Sequence, residues 1–150
     1  MSFLGPFPVD DAIARLQTHA KSLKIVSGAA GLRAALDSSP NNNPAAYVLS
    51  EERGGKVKFS GPPMQQPVAV SLQVVLFVQS SANEKAGAGA EALMRTVKKD
   101  VRHALLGWVA GPAFSELTFQ GERPEPYKAG WYAVQVIFVC EYTMSHKAPE

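Results

Sequence analysis

The sequence predicts an α+β domain: a small mixed, largely antiparallel sheet flanked by helices, with the helices packed on one side. Three observations predict it. The segments "VAVSLQVVLFVQS" (68–80) and "WYAVQVIFVCEY" (131–142) alternate with the period of two that marks strands. Between them, "NEKAGAGAEALMRTVKKDVRHALLGW" (83–108) repeats its apolar residues every three or four positions, as an amphipathic helix does. Finally, strands and helices intermix without repeating, which excludes a solenoid or an all-β sandwich.

The first helix is read in "VDDAIARLQTHAKSL", where Val9, Ile13, Leu16, Ala20 and Leu23 share a stripe. Asp10 and Asp11 stand at its start, where the helix dipole favours negative charge. "KIVS" is a short strand, and "AAGLRAALDSS" a second helix that "PNNNP" terminates, because proline and asparagine favour turns. "AAYVLSE" is the next strand. The segment from Glu51 to Pro67 follows, with three glycines, three prolines and alternating charge. It reads either as an extended hairpin arm or as a mobile loop, and mobility is the expectation carried forward. In the long helix, Ala90, Leu93, Met94, Val97, Val101, Ala104 and Leu105 form the buried stripe. "SELTFQGE" is a strand antiparallel to the last one, "RPEPYKAG" is the turn that joins them, and the tail from about 144 to 150 is expected to be disordered.

The two long strands pose a packing question. Tyr132, Val134, Val136, Phe138, Cys140 and Tyr142 make one face of the last strand wholly apolar, while Ile137 and Val139 make its other face apolar too. Val75 and Phe77 do the same in the other long strand. These four residues are a candidate subunit-interface patch, to be covered either by a helix of the same chain or by another subunit.

A chain of 150 residues is the size of one domain, read here as 1–150, and it buries roughly 68–70 % of its unfolded surface. The net charge of +2 is too small to argue for a nucleic-acid partner. The single cysteine, Cys140, excludes an intrachain disulfide and suits a reducing compartment. The N-terminus lacks the charged and apolar regions of a signal peptide, and no stretch approaches the roughly 18 apolar residues of a membrane span. A soluble intracellular protein with no membrane partner is expected.

No constellation of residues carries a reaction. "VSGAAGLRAAL" has the strand, glycine turn and helix of a phosphate site, but lacks the spacing of a dinucleotide fingerprint and the lysine of a P-loop. Ser27 or Gly28 at a plain helix start is the simpler reading. His19, His103 and His146 lie too far apart in sequence to suggest a metal site. Cys140 sits on an apolar face, the setting of a core cysteine rather than a nucleophile. Glu51, Glu52 and Arg53 form a charged strand end. With Lys56, Lys58, Gln65 and Gln66 they make a candidate partner-contact loop, in which Val57 and Phe59 alternate with the lysines. No catalytic residue, cofactor or metal is expected.

The phrases "KIVSGAAGLRAAL", "PAAYVLSEERGG", "QQPVAVSLQVVLFVQ", "VKKDVRHALLGW" and "LTFQGERPEPYKAGWYAVQVIFVCEY" occur in an order that resembles bacteriophage tail terminator proteins, from about Ile25 to Tyr142. The resemblance implies a small α+β subunit of a homohexameric ring at the head-proximal end of the tail tube. It implies a structural virion or prophage protein, not an enzyme, that stops tube polymerisation and offers the head-joining surface. The implied partners are further copies of itself, the tail tube protein and the head–tail connector protein. Assembly would take place in the host bacterial cytoplasm, from a subunit that is monomeric when dilute. Two other readings stay open on the sequence: another tail or neck structural protein, and a small cytosolic ligand-binding domain or enzyme built around Gly28–Gly31.

Overall fold

A computed structural model describes residues 2–40, 42–79, 88–125 and 130–147. Helix α1 (Val9–His19) is followed by β1 (Ile25–Ser27), α2 (Ala29–Asp37), β2 (Ala45–Gly54), β3 (Met64–Gln79), α3 (Ala88–Leu105), β4 (Thr118–Glu125) and β5 (Trp131–His146). The five strands form one sheet in the order β1-β2-β3-β5-β4. Only β1 and β2 pair in parallel, and every other neighbouring pair is antiparallel. The α+β class and the mixed, largely antiparallel sheet are therefore as expected.

The expectation of helices on one side is corrected, and the strand order explains why. The chain makes two crossovers between parallel strands, β1–α2–β2 and β3–α3–β4, the second stepping over β5. Both step across the sheet in the same direction, but β1 and β2 run opposite to β3 and β4. Parallel crossovers are right-handed, because a right-twisted strand and a right-handed helix pack back onto the sheet only that way. Two right-handed crossovers with the same step and opposite strand direction put their helices on opposite faces. Accordingly α1 and α3 cover one face, here the inner face, through Leu16, Met94, Val97, Val101 and Leu105. Helix α2 covers part of the other face, through Leu32 and Ala35.

The inner face holds the larger core. Val70, Leu72, Val74, Leu76 and Val78 of β3 and Val134, Val136, Phe138 and Cys140 of β5 are buried there. Burying a side chain of this kind stabilises the fold by about 1.5–3 kcal/mol before chain entropy is counted. Arg15 ties α1 to α3 by donating its Nε–H to the carbonyl of Ala104 at 2.5 Å, with its guanidinium over the Trp108 ring. The backbone N–H of Ser22 donates to Asp100 Oδ2 at 3.3 Å, a second tie between the same helical regions.

Two expected segments are shorter than the sequence suggested. β5 continues to His146, and Ser145 exchanges backbone hydrogen bonds with Phe3 at 2.7 and 2.8 Å. Residues 144–146 of the expected disordered tail are therefore strand, and 148–150 lie outside the described residues. The expected loop from Glu51 to Pro67 contracts to residues 55–63, since β2 reaches Gly54 and β3 begins at Met64. The expected helix start at Asn83 and the turn before the last strand also fall partly outside the described residues.

The N-terminal segment is a strap across the end of β5. The rings of Phe3, Phe7, Phe114 and Tyr142 pack edge to face there, with centroids 5.0 to 5.8 Å apart. Gly5 lets the strap pass. Its φ of +67° favours glycine, and a Cβ at this position would collide with the Tyr142 hydroxyl. Gly5→Ala is expected to destabilise the protein by about 1–3 kcal/mol in denaturant unfolding and to speed amide exchange at Ser145. An unchanged midpoint and unchanged Ser145 exchange would mean the strap contributes nothing.

Candidate assembly surfaces

The outer face of the sheet divides into a covered half and an open half. Ala45 and Tyr47 of β2, Val75 and Phe77 of β3, and Ala133 of β5 are buried in one cluster with Ala35 of α2. Gly31 permits this contact, because a Cβ there would lie 2.5 Å from Ser27 Oγ. The glycine turn weighed as a phosphate site thus serves close packing of α2 on β1. At the margin of α2 an apolar groove of about 220 Å³ remains open, lined by Leu32, Leu36, Leu49, Val75 and Phe77, with Glu125 on its border.

The four residues proposed as one interface patch are split between these halves. Val75 and Phe77 are buried in the cluster beside α2, whereas Ile137 and Val139 are half-buried outside it. Polar side chains separate them. Gln135 Nε2 donates to Gln73 Oε1 at 2.9 Å, Arg123 Nε donates to Gln135 Oε1 at 2.8 Å, and Arg123 pairs with Glu125 at 3.4 Å. This row crosses β3, β5 and β4. It satisfies Gln135, which is buried, and so avoids the cost of about 1–3 kcal/mol for a buried amide without a partner. Sequence reasoning missed the row. Its only trace was the pair of glutamines interrupting two apolar strands.

The β2–β3 hairpin extends into an arm. Gly55 N–H donates to the Pro67 carbonyl at 2.8 Å, Lys58 N–H to the Gln65 carbonyl at 3.0 Å, and Gln66 Nε2 to the Gly55 carbonyl at 2.9 Å. Among the residues singled out in sequence, the structure thus brings Lys58, Gln65 and Gln66 together. Lys56 is exposed beside them. Phe59 is 55 % exposed, with Val57 and Met64 also partly open to solvent, so the arm carries exposed apolar surface. Glu51 and Arg53 lie at its base on the outer face, exposed, and their side chains make no hydrogen bond or ion pair among the described residues.

Glu52 does not belong to that group. It points to the inner face, where its Oε1 accepts a short hydrogen bond from the Tyr142 hydroxyl and its Oε2 accepts one from Phe7 N–H at 3.2 Å. It therefore clamps the N-terminal strap to β5. Burial, the hydrogen bond to Glu52 and the Glu52 charge all push the Tyr142 phenol up. Burial, helped by the charges of Glu52 and Glu141, pushes the Cys140 thiol up from 9.0 to about 11. A thiol so held is protonated and inert at neutral pH, which agrees with a core role.

β4 is one of the two edge strands of the sheet, opposite β1. A register irregularity between Phe119 and Gly121 and the charges of Glu122, Arg123 and Glu125 blunt it against strand addition. Lys98 and Arg102 of α3 pair with Glu122 at 2.8 and 3.2 Å. Partial burial pushes the Glu122 carboxyl up, but Lys98 and then Arg102 outweigh it and hold the group below its ordinary value. Arg102 also lies over the Phe119 ring at 4.6 Å. A cleft of about 490 Å³ opens between α3 and the β4–β5 strands, walled by Glu91, Arg95, Lys98 and Trp131. Among the described residues, no group of three or more histidine, cysteine or carboxylate side chains is placed to hold a metal, and no helix is long and apolar enough to cross a membrane.

The surfaces thus consist of an arm, a half-covered sheet face and a blunted edge. Compared with known families, residues 2–148 match the phage tail terminator protein family. The chain belongs to that family. It is accordingly a structural protein of the phage tail or neck, as the resemblance in its strand and helix phrases implied. No curated protein matches it in sequence. Among solved structures, a chain in the virion of a native gene transfer agent particle shares the fold at a TM-score of 0.52 and 12 % identity. That match covers 90 % of this chain and 84 % of the other.

The raised Cys140 pKa sets an alkaline dependence. Below about pH 9 the thiol is neutral in both folded and unfolded chains, so its contribution to stability is complete. From pH 9 to about 11 the unfolded chain loses the proton first, and stability falls by roughly 2–3 kcal/mol. Tyr142 adds a loss of the same sign at higher pH. Cys140→Ala is expected to lower stability at pH 7.5 by about 1–2 kcal/mol and to flatten the decline between pH 9 and 10, measured by urea unfolding. An equal slope in both proteins would show that Cys140 is not the titrating group.

Proposed function

We propose that the protein is a tail terminator that forms a homohexameric ring on the head-proximal end of the tail tube. The ring stops tube polymerisation and provides the surface to which the head–tail connector joins. Its partners are further copies of itself, the tail tube protein and the connector. Its place is the virion tail, after assembly in the host bacterial cytoplasm, and its role is mechanical rather than catalytic.

The single observation that carries this reading is the family match over residues 2–148. The physical features agree with it. An apolar groove and half-buried Ile137 and Val139 on an open sheet face suit contacts between subunits. A ring closes such contacts head to tail, so that each subunit gives one surface and receives another.

The test is tube growth. Tube protein polymerised with this protein is expected to give short tubes with rings at one end in negative-stain micrographs, whereas tube protein alone grows on. Equal length distributions, with bare tube ends, would reject the terminator reading. The subunit is expected to sediment as a monomer at low micromolar concentration and to gather only when concentrated or on tubes.

A further inference from the structure

We infer that the β2–β3 arm of one subunit docks in the apolar groove beside α2 of a neighbouring copy of this chain. This names the contact that closes the proposed ring, and so rests on that reading. The arm offers what the groove lacks. Phe59, Val57 and Met64 are 55, 37 and 41 % exposed. The groove is an open volume of about 220 Å³ lined by Leu32, Leu36, Leu49, Val75 and Phe77. Leu36, on its rim, is 49 % exposed.

Charge agrees with shape. Lys56 and Lys58 alternate with Val57 and Phe59 on the arm. Glu125 borders the groove, and Glu51 stands two residues beyond Leu49 on the same sheet face without an ion-pair partner among the described residues. Two lysines flanking an aromatic thus meet two carboxylates flanking an apolar hollow. Such complementarity orients a docking contact more than it strengthens it.

The arm cannot fill its own groove. Leu49 lies in β2, and the strand runs from it to Gly54 away from α2, a distance of roughly 17 Å, before the arm begins. Phe59 lies beyond that and is tied to Gln65 by backbone hydrogen bonds at 2.8 and 3.3 Å. The occupant of the groove is therefore the arm of another copy. The contact joins two different surfaces, so each subunit gives an arm and takes one, which generates a closed ring or an open filament according to the rotation.

Site-specific cross-linking tests it. One batch carries Phe59→Cys and a tagged second batch carries Leu36→Cys. Both positions are exposed, and native Cys140 is buried. Under mild oxidation of the concentrated mixture, with and without tube protein, the expected product is a disulfide joining the two kinds of chain. Adding Lys58→Glu to the arm batch is expected to lower its yield about two- to fivefold, and Glu125→Lys in the groove batch to restore it. Phe59→Ser is expected to weaken self-association by about tenfold, read by sedimentation. Rings or capped tubes without the mixed disulfide would overturn this contact and leave the terminator reading standing. Arm variants that lose tube capping while self-associating normally would also overturn it, by assigning the arm to the tube protein. A mixed disulfide in a protein that neither forms rings nor caps tubes would uphold the contact and reject the terminator reading. Absence of rings, capping and the disulfide would reject both.

Discussion

The pairing of β3 with β5 is the constraint on which the rest of the molecule depends. Sixteen consecutive residues of one strand pair with sixteen of the other, from Met64 with His146 to Gln79 with Trp131. At about 3.3 Å per residue that ribbon is roughly 50 Å long. The longest helix, α3, has 18 residues and reaches about 27 Å. No single helix among the described residues can cover such a ribbon. Inner-face residues from Val68 to Val78 are buried because α1 and α3 share the work. The far end is left to the N-terminal strap, to the Phe114 ring and to the arm. An overlong central pair in a small domain therefore creates both a protruding hairpin and a surface that needs another cover.

Much of this was legible from period alone. The stripes of α1 and α3, the two faces of β3 and β5, and the antiparallel pairing of the last two strands follow from side chains that repeat every 3.6 or 2 residues. The face taken by α2 was not legible, because it depends on strand order. Handedness assigns a crossover helix to a face only once the direction of the step across the sheet is known. A three-residue strand such as β1 gives too few positions to fix that step. The row from Gln73 through Gln135 to Arg123 was hidden for a related reason. Its partners are 62 and 12 residues apart, and only the register of β3, β5 and β4 aligns them.

Glu52 shows how neighbours in sequence take opposite roles. In a charged run, Glu51, Glu52 and Arg53 look alike. In the sheet, the strand's period of two sends Glu51 and Arg53 to the outer face and Glu52 inward to Tyr142 and Phe7. The carboxylate that seemed to offer contact to a partner instead holds the chain's own N-terminal strap. Cys140 was assigned correctly from the same alternation. Its apolar neighbours on the strand face predicted the burial that now keeps its thiol protonated.

The open half of the outer face is best understood as a compromise between solubility and assembly. A fully apolar face would aggregate without selection, and a fully polar one would give a partner little to bury. Here the row of Gln73, Gln135 and Arg123 satisfies its own polar groups and separates the hollow beside α2 from Ile137 and Val139. Each apolar area stays small, which limits unselective association. The blunted β4 edge works in the same direction, because its irregular register and charges oppose unregulated strand addition. What remains available is a narrow choice of contacts: a hollow beside α2 and a hairpin arm that carries exposed apolar side chains between lysines. Association limited to such contacts requires the correct surface on each side.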